Sequence, residues 1–137
     1  MATPLGIHHL DLQVNSFAKT EDFYSHAIGW RIGARFGRKK NSKKVIEIGS
    51  DYDAEKVTPE SLRIDLLDGS HLFFIVGKKP DYSLDEPHLA LKVNQAGQRR
   101  ILARLKLLKI SHEINGGENV AFYDPSGLRI EIYQEST

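Results

Sequence analysis

A chain of 137 residues is long enough to bury a real hydrophobic core, and its length does not require more than one domain. Its composition, 40% hydrophobic and 27% charged with a formal net charge of +1, is typical of a globular protein and gives no electrostatic reason to expect a nucleic-acid partner. The absence of cysteine excludes disulfides, thiolate metal ligands and a cysteine nucleophile, whereas metal sites built from histidine and carboxylate stay open.

The first residues, Met-Ala-Thr-Pro-Leu-Gly, lack the basic region and apolar run of a signal peptide. No stretch approaches the roughly 18 consecutive apolar residues that a membrane span needs. We therefore expect a cytoplasmic protein without a membrane partner.

The amino-terminal part predicts a strand, a helix and a second strand. Residues 9–14, His-Leu-Asp-Leu-Gln-Val, alternate apolar with other side chains, as a half-buried strand does. Good N-cap residues then precede an apolar stripe at helical spacing in residues 17–28, which predicts an amphipathic helix ending at Gly29. Residues 30–36 are predicted to form the second strand.

Residues 37–60 show the weakest pattern in the chain. They contain a basic run followed by an acidic stretch, and only residues 45–48 suggest a short strand. We interpret this segment as a long insertion, either a solvated loop or a lid over a substrate pocket. No aromatic residues interleave the basic ones as a nucleic-acid stacking platform requires, so we expect no nucleic-acid partner.

Residues 61–67 and 71–76 flank Asp68-Gly69, a strong signal for a β-hairpin. Residues 78–86 are predicted to link this first unit to a second. The second unit is predicted to contain a strand at 88–93, a helix that begins after Asn94, strands at 110–114, 120–123 and 128–134, and turns at Gly116-Gly117 and Asp124–Gly127.

The two units are related by an internal repeat. The first strand, His9-Leu-Asp-Leu-Gln-Val14, matches the strand at 88–93, His-Leu-Ala-Leu-Lys-Val, at four of six positions. Each copy opens with a histidine that period-two alternation places on the face away from the core, together with Asp11 and Gln13 in the first copy. A single strand histidine is usually a surface or satisfied core residue, but two at matched positions of a repeat indicate a shared role.

The chain resembles the vicinal oxygen chelate superfamily, which includes glyoxalase I, bleomycin-resistance proteins, fosfomycin-resistance enzymes, methylmalonyl-CoA epimerase and extradiol dioxygenases. The residues that carry the resemblance are Ile7-His8-His9-Leu10, Phe23-Tyr24, Ile28-Gly29-Trp30, Pro87-His88-Leu89-Ala90-Leu91 and the run from Phe122 to Glu131. The resemblance implies a single α+β domain of two βαβββ modules, about residues 5–77 and 86–134, that form an open U-shaped mixed sheet around a metal.

The resemblance also implies a set of metal ligands. The first falls on His9 rather than His8, because the repeat aligns His9 with the second ligand, His88. The carboxylate ligand lies four residues beyond the turn glycine of the second module, which is Glu131 here. The same offset in the first module reaches Phe73, which cannot coordinate a metal and therefore disfavours glyoxalase I and the epimerase, both of which use a ligand there.

Two imidazoles and one carboxylate suit one divalent ion, Fe, Mn, Zn, Co or Ni, with open positions for the paired oxygens of a substrate. We therefore expect a metal-dependent enzyme acting on a small oxygenated molecule, with lyase, isomerase, dioxygenase and transferase chemistry all open. The alternative is a metal-free binding protein of the bleomycin-resistance kind. Fosfomycin enzymes share the three-ligand set but carry further basic residues beyond the Glu131 position, and extradiol dioxygenases are commonly longer.

Other side chains on the same strand faces complete the predicted site. His71 and Asp11 are the candidates for catalytic acid–base roles, and the predicted substrate-pocket residues are Gln13, Phe73, Arg129 and Tyr133.

We also expect a homodimer. The two helices cover one face of the sheet, but strand edges and apolar strand residues such as Phe74 and Val76 need cover as well, and symmetric pairing is the commonest way to supply it. Single-domain members of the family are often dimers, so the resemblance agrees.

Overall fold

The computed structural model describes residues 3–77, 82, 88–115 and 119–135. Its strands are β1 (His9–Val14), β2 (Ile32–Lys39), β3 (Val45–Ile48), β4 (Val57–Asp65), β5 (His71–Val76), β6 (Leu89–Val93), β7 (His112–Asn115), β8 (Asn119–Tyr123) and β9 (Arg129–Gln134). The helices are α1 (Phe17–Glu21), continued by a π-helical segment (Asp22–Ala27), and α2 (Gln95–Leu107). None of the described helices is long and apolar enough to cross a membrane. The predicted α+β fold with two modules is confirmed.

Each module forms its own mixed sheet. The strand order is β1-β5-β4-β2-β3 in the first module and β6-β9-β8-β7 in the second. In both, the first strand pairs in parallel with the last, while the other pairs are antiparallel. The repeat in the sequence is thus a repeat in topology, and it sets the start of each module's first strand beside its last strand.

The helix predicted over residues 17–28 forms, but only its first part is an α-helix. Ser16 caps it by accepting a hydrogen bond from the Lys19 amide, and Gly29, at φ +83°, ends it. The amide of Ile28 donates to the carbonyl of Phe23, five residues back, at 2.9 Å. Phe23 and Tyr24, both in this wider turn, are buried, as expected of members of the predicted apolar stripe.

The prediction of a long insertion at 37–60 is wrong. Strand β2 continues to Lys39, β4 begins at Val57, and these two ends pair with each other while β3 extends the same sheet at its edge. The short strand suggested at residues 45–48 is β3. The end of β2 and the start of β4 were missed because these mostly exposed or half-exposed residues show no apolar alternation. Gly37 marks a register shift between β2 and β4, where a Cβ atom would lie 2.4 Å from the carbonyl oxygen of Thr58.

Most other predicted elements lie close to their expected positions. Strand β6 begins at Leu89, so His88 precedes it rather than opening it, and β7 begins at His112 rather than at residue 110. Asn94 caps α2 by accepting a hydrogen bond from the Gly97 amide at 2.7 Å. The predicted turn at 116–117 and the predicted linker, except Tyr82, lie outside the described residues.

One hydrophobic core spans both modules. Tyr24 stacks on Phe74 at 4.2 Å between ring centroids, and Phe23 packs against Phe122 of the second module at 6.0 Å. Phe74 is fully buried and Val76 packs against the same cluster. The expectation that these two strand residues need cover from a partner chain is therefore wrong, because Phe74 lies on the helix-facing side of β5.

Candidate functional site

The open face of β9 carries the first half of the site. Ile130 and Ile132 are fully buried, so the residues that alternate with them, Arg129, Glu131 and Tyr133, lie on the opposite face. The Glu131 carboxylate, whose side chain is 13% exposed, accepts hydrogen bonds from Arg129 Nε at 3.1 Å and Tyr133 Oη at 3.3 Å. This carboxylate is held in place on two sides.

His88 lies next to Glu131, with 3.6 Å between its Nε2 and the carboxylate Oε2. The proximity follows from topology, since β6 and β9 are parallel neighbours and Ala90 pairs with Glu131. Two of the three predicted metal ligands are therefore brought together by the second module.

Charges around Glu131 affect the neighbouring groups. Hydrogen bonds to Tyr123 and Glu131 raise the pKa of Arg129, so its guanidinium stays charged. The negative charge of Glu131 raises the pKa of Tyr133, which keeps that phenol protonated and able to donate. A cation and a phenolic donor thus border the carboxylate, and both are groups that can donate hydrogen bonds to anionic or neutral oxygen atoms.

The first module carries the remaining predicted ligand. His9 Nε2 lies 3.7 Å from Asp11 Oδ1, and Nδ1 of His9 lies 2.8 Å from Nδ1 of His8. The ring of Phe73 meets that of His9 edge-on at 5.5 Å between centroids, so these two side chains lie on the same face of the first sheet. Gln13 lies further along β1, near Gly77.

The three predicted ligands are not gathered within one chain. Among residues 3–77, 82, 88–115 and 119–135, no three histidine, aspartate or glutamate side chains are arranged so that they could hold a metal ion. His9 lies with Asp11 in the first module, while His88 and Glu131 lie together in the second.

A second pair of titratable groups lies on the first sheet and includes a residue that the sequence analysis missed. His71 Nδ1 lies 2.8 Å from Asp65 Oδ1, and the same oxygen accepts a hydrogen bond from Arg63 Nε at 2.8 Å. The hydrogen bond from Arg63 lowers the pKa of Asp65, with a further lowering from His71. The signal was available, because a hairpin around Asp68-Gly69 pairs Asp65 with His71.

An open groove of about 1100 Å³ runs between the two modules. Asp65 and His71 line one side and Leu89 and Lys92 the other, while Leu10 of β1 is 42% exposed in it. The groove is bordered by the His71 pair, whereas His9, His88 and Glu131 are not among the residues that line it.

Comparison with known proteins gives a family and a fold. The family model of the Glyoxalase/Bleomycin resistance protein/Dioxygenase superfamily matches residues 6–132. Among curated proteins no match was found by sequence.

Solved structures similar to this chain share its fold at low sequence identity. A glyoxalase/dioxygenase from Nostoc punctiforme is 20% identical with a TM-score of 0.67, covering 100% of this chain and 97% of the other. A glyoxylase/bleomycin resistance protein/dioxygenase domain from Frankia sp. EAN1pec is 16% identical with a TM-score of 0.67, covering 98% and 100%. A mutant of the fosfomycin resistance protein FosX from Listeria monocytogenes, in complex with Mn(II) and dihydroxypropylphosphonic acid, is 15% identical with a TM-score of 0.62, covering 98% and 95%.

Proposed function

The chain belongs to the Glyoxalase/Bleomycin resistance protein/Dioxygenase superfamily, and on this basis we propose that it is a divalent-metal-dependent enzyme acting on a small oxygenated molecule. Its proposed metal ligands are His9, His88 and Glu131. The observation that carries the proposal is the pair formed by His88 and Glu131, 3.6 Å apart, with the carboxylate nearly buried on an open sheet face. Imidazole and carboxylate side chains this close together are the ligand types that divalent transition metals take in proteins.

The donor set fits a divalent transition metal. Imidazole and carboxylate ligands together suit Fe, Mn, Zn, Co and Ni, and a three-ligand set leaves positions for substrate oxygens. A bound ion would act as a Lewis acid toward paired oxygen atoms. The Mn(II) and the dihydroxypropylphosphonic acid in the FosX structure support a metal and an oxygen-rich ligand in a protein of this fold.

We place the complete site at the interface of a homodimer. His9 of one copy joins His88 and Glu131 of the other, so a dimer holds two sites. The separation of His9 from the other two ligands within the described part of one chain supports this arrangement.

The chain's own side chains bind and orient the substrate. Arg129 and Tyr133 donate hydrogen bonds to its anionic or neutral oxygens, and Phe73 fills the space on the first sheet where a fourth ligand is missing. His71 exchanges a proton with the substrate, and Asp11 orients His9. Which of the possible reactions follows depends on the substrate.

Metal analysis of protein purified without a histidine tag tests the proposal. Elemental analysis and titration calorimetry should find one ion per chain, and His9→Ala, His88→Ala or Glu131→Ala should each abolish stoichiometric binding in a folded protein. His8→Ala is the matched control and should keep the metal, because the repeat register puts the ligand on His9. Wild-type protein that binds none of the five metals stoichiometrically would overturn the proposal.

A metal-free small-molecule binding protein is the second candidate. The ion pair between Arg129 and Glu131 favours it, because the carboxylate already has a partner without a metal. The same metal analysis separates the two candidates, because a metal-free binding protein should hold no stoichiometric metal. In such a protein, Glu131→Ala should change the affinity for the ligand in the absence of any metal.

A further inference from the structure

The pairing of Asp65 with His71 is built into the first sheet. Strands β4 and β5 form the hairpin around the Asp68-Gly69 turn, and this register sets the two residues directly opposite each other on the face away from the core. The adjoining residues Ile64 and Leu72 are nearly fully buried, which fixes both strands against rotation. The contact of 2.8 Å between Asp65 Oδ1 and His71 Nδ1 thus rests on two packed strands.

The chemistry of the pair determines where the proton lies. The lowered pKa of Asp65, to which the hydrogen bond from Arg63 contributes most, keeps the carboxylate ionised near neutral pH. An ionised carboxylate only accepts hydrogen bonds, so Nδ1 of a neutral His71 must carry the hydrogen. The lone pair of the neutral ring is then on Nε2.

A glycine on the neighbouring strand makes room for the carboxylate. A Cβ atom at Gly33 would lie 2.4 Å from Oδ2 and 2.7 Å from Cγ of Asp65. Gly33 also sits at a register shift between β2 and β4. Any other residue at this position would displace the Asp65 side chain, so the contact with His71 depends on a glycine here.

The other ring nitrogen is open to a bound molecule. Within the described residues, Nε2 of His71 takes part in no hydrogen bond. His71 pairs in register with His9 on adjacent parallel strands, about 4.8 Å apart, so both side chains lie on one face. His71 and Asp65 also line the groove between the modules.

We propose that Asp65 is the positioning residue of a proton-transfer pair: it holds the Nδ1 hydrogen of His71 and leaves Nε2 to take a proton from a substrate bound beside His9. The O–H or acidic C–H bond of the substrate breaks, its electron pair stays on the substrate, and the proton moves to Nε2. The resulting imidazolium keeps its Nδ1 hydrogen on Asp65, which is not protonated itself. This inference deepens the proposed function and rests on it for the substrate.

Nitrogen NMR of the histidine rings tests the pair without a substrate or a metal. In wild-type protein at a pH where His71 is neutral, its signals should show a protonated Nδ1 and an unprotonated Nε2. Asp65→Asn and Gly33→Ala should both reduce this tautomer, the second by moving the carboxylate. Asp68→Asn is the matched control, because Asp68 bonds to Ser70 rather than to a histidine, and should leave His71 unchanged. A wild-type His71 protonated on Nε2 would overturn the proposal.

Metal binding separates this inference from the proposed function. Asp65→Asn should keep full metal stoichiometry and, with a substrate in hand, lower kcat at least about tenfold with little change in KM. Intact kcat in that variant would overturn the pair while leaving the metal site standing. If the wild-type protein bound no metal, the proposed function would be wrong. The tautomer of His71 would still show whether Asp65 holds the Nδ1 hydrogen.

Discussion

A buried hydrogen bond between Tyr24 and Asp124 connects the two modules, and its contribution to stability can be measured. The Tyr24 hydroxyl of the first module donates to Asp124 Oδ2 at 2.9 Å inside the shared core. The other carboxylate oxygen, Oδ1, accepts from the amides of Ser126 and Leu128 at 2.8 and 2.9 Å. Asp124 is only 5% exposed, so each of these donors replaces water that the carboxylate has lost.

Replacing Tyr24 by phenylalanine removes the hydroxyl and little else. The ring keeps its stacking on Phe74 at 4.2 Å and on Trp30 at 5.4 Å, so no large cavity opens. The variant keeps the buried Asp124 carboxylate but loses one of its hydrogen-bond donors. A hydrogen bond to a charged group contributes about 1.5–3 kcal/mol to the free energy of unfolding. We expect Tyr24→Phe to lower the free energy of unfolding by about 2 kcal/mol.

A double-mutant cycle isolates the contact. Asp124→Asn keeps an oxygen for the two backbone amides, so its cost should be smaller than that of Asp124→Ala, which orphans both amides. Because the tyrosine and the carboxylate share one bond, the double variant Tyr24→Phe with Asp124→Asn should be more stable than the sum of the single changes by about 1–2 kcal/mol. Urea unfolding followed by circular dichroism and by the fluorescence of Trp30, the only tryptophan, measures each term.

The cost of Tyr24→Phe in stability should depend on pH, because the hydroxyl bonds to a titratable group. Burial raises the pKa of Asp124, and the hydrogen bond from Tyr24 opposes this rise. Because the folded-state pKa lies above the unfolded one, the carboxyl group's contribution to stability is lost as pH rises from about 4 through the folded value. Removing the tyrosine hydroxyl raises the folded pKa further, so the cost of Tyr24→Phe should grow with pH across this window.

Two results would refute this reasoning. Additive single and double variants, within about 0.5 kcal/mol, would mean that Tyr24 and Asp124 do not share a stabilising bond. A cost of Tyr24→Phe that is independent of pH, or that persists undiminished in the Asp124→Asn background, would mean that the loss comes from ring packing instead.

Three further predictions concern the site, the assembly and a turn. Phe73→Glu should raise metal affinity and change the spectrum of the cobalt-substituted protein, because Phe73 lies against His9; an unchanged spectrum would contradict this. Sedimentation at micromolar concentration should give about twice the chain mass of 15.5 kDa, and a clean monomer would rule out the proposed dimer. Gly127→Ala should lower the free energy of unfolding by about 1 kcal/mol, because Gly127 has φ +88°. Gly6 has open space around it and no positive φ, so Gly6→Ala should not change stability measurably, and equal effects of the two changes would contradict a left-handed backbone at Gly127.

The sequence predicted the features that depend on local pattern and on the repeat. The repeat aligned His9 with His88, and the offset from the turn glycine that the family resemblance supplies singled out Phe73 and Glu131; in the structure Phe73 lies against His9, and Glu131 lies next to His88. The sequence did not predict the π-helical segment, because an apolar stripe at helical spacing does not distinguish a five-residue hydrogen-bond step from a four-residue one. It also missed most of the strand structure in 37–60, where pairing between strands outweighs a charged, unpatterned sequence.

Other parts of the candidate site depend on proximity between strands that are not neighbours in the sequence. The pairing of Asp65 with His71 follows from the Asp68-Gly69 hairpin, but the space that Gly33 leaves for the carboxylate comes from a further strand, which no spacing in the chain indicates. The separation of His9 from the other two proposed ligands is likewise a matter of how the two sheets are arranged, which the repeat does not specify.

Subunit mixing tests the central claim, a metal site shared between two copies, most directly. His9→Ala and Glu131→Ala should each lack stoichiometric metal as pure homodimers. In a mixed dimer, the intact His9 of one chain faces the intact His88 and Glu131 of the other, so one of the two sites is restored. Native mass spectrometry of the exchanged mixture should find one metal ion in each mixed dimer and none in the homodimers. Mixed dimers that form but hold no metal would contradict the account.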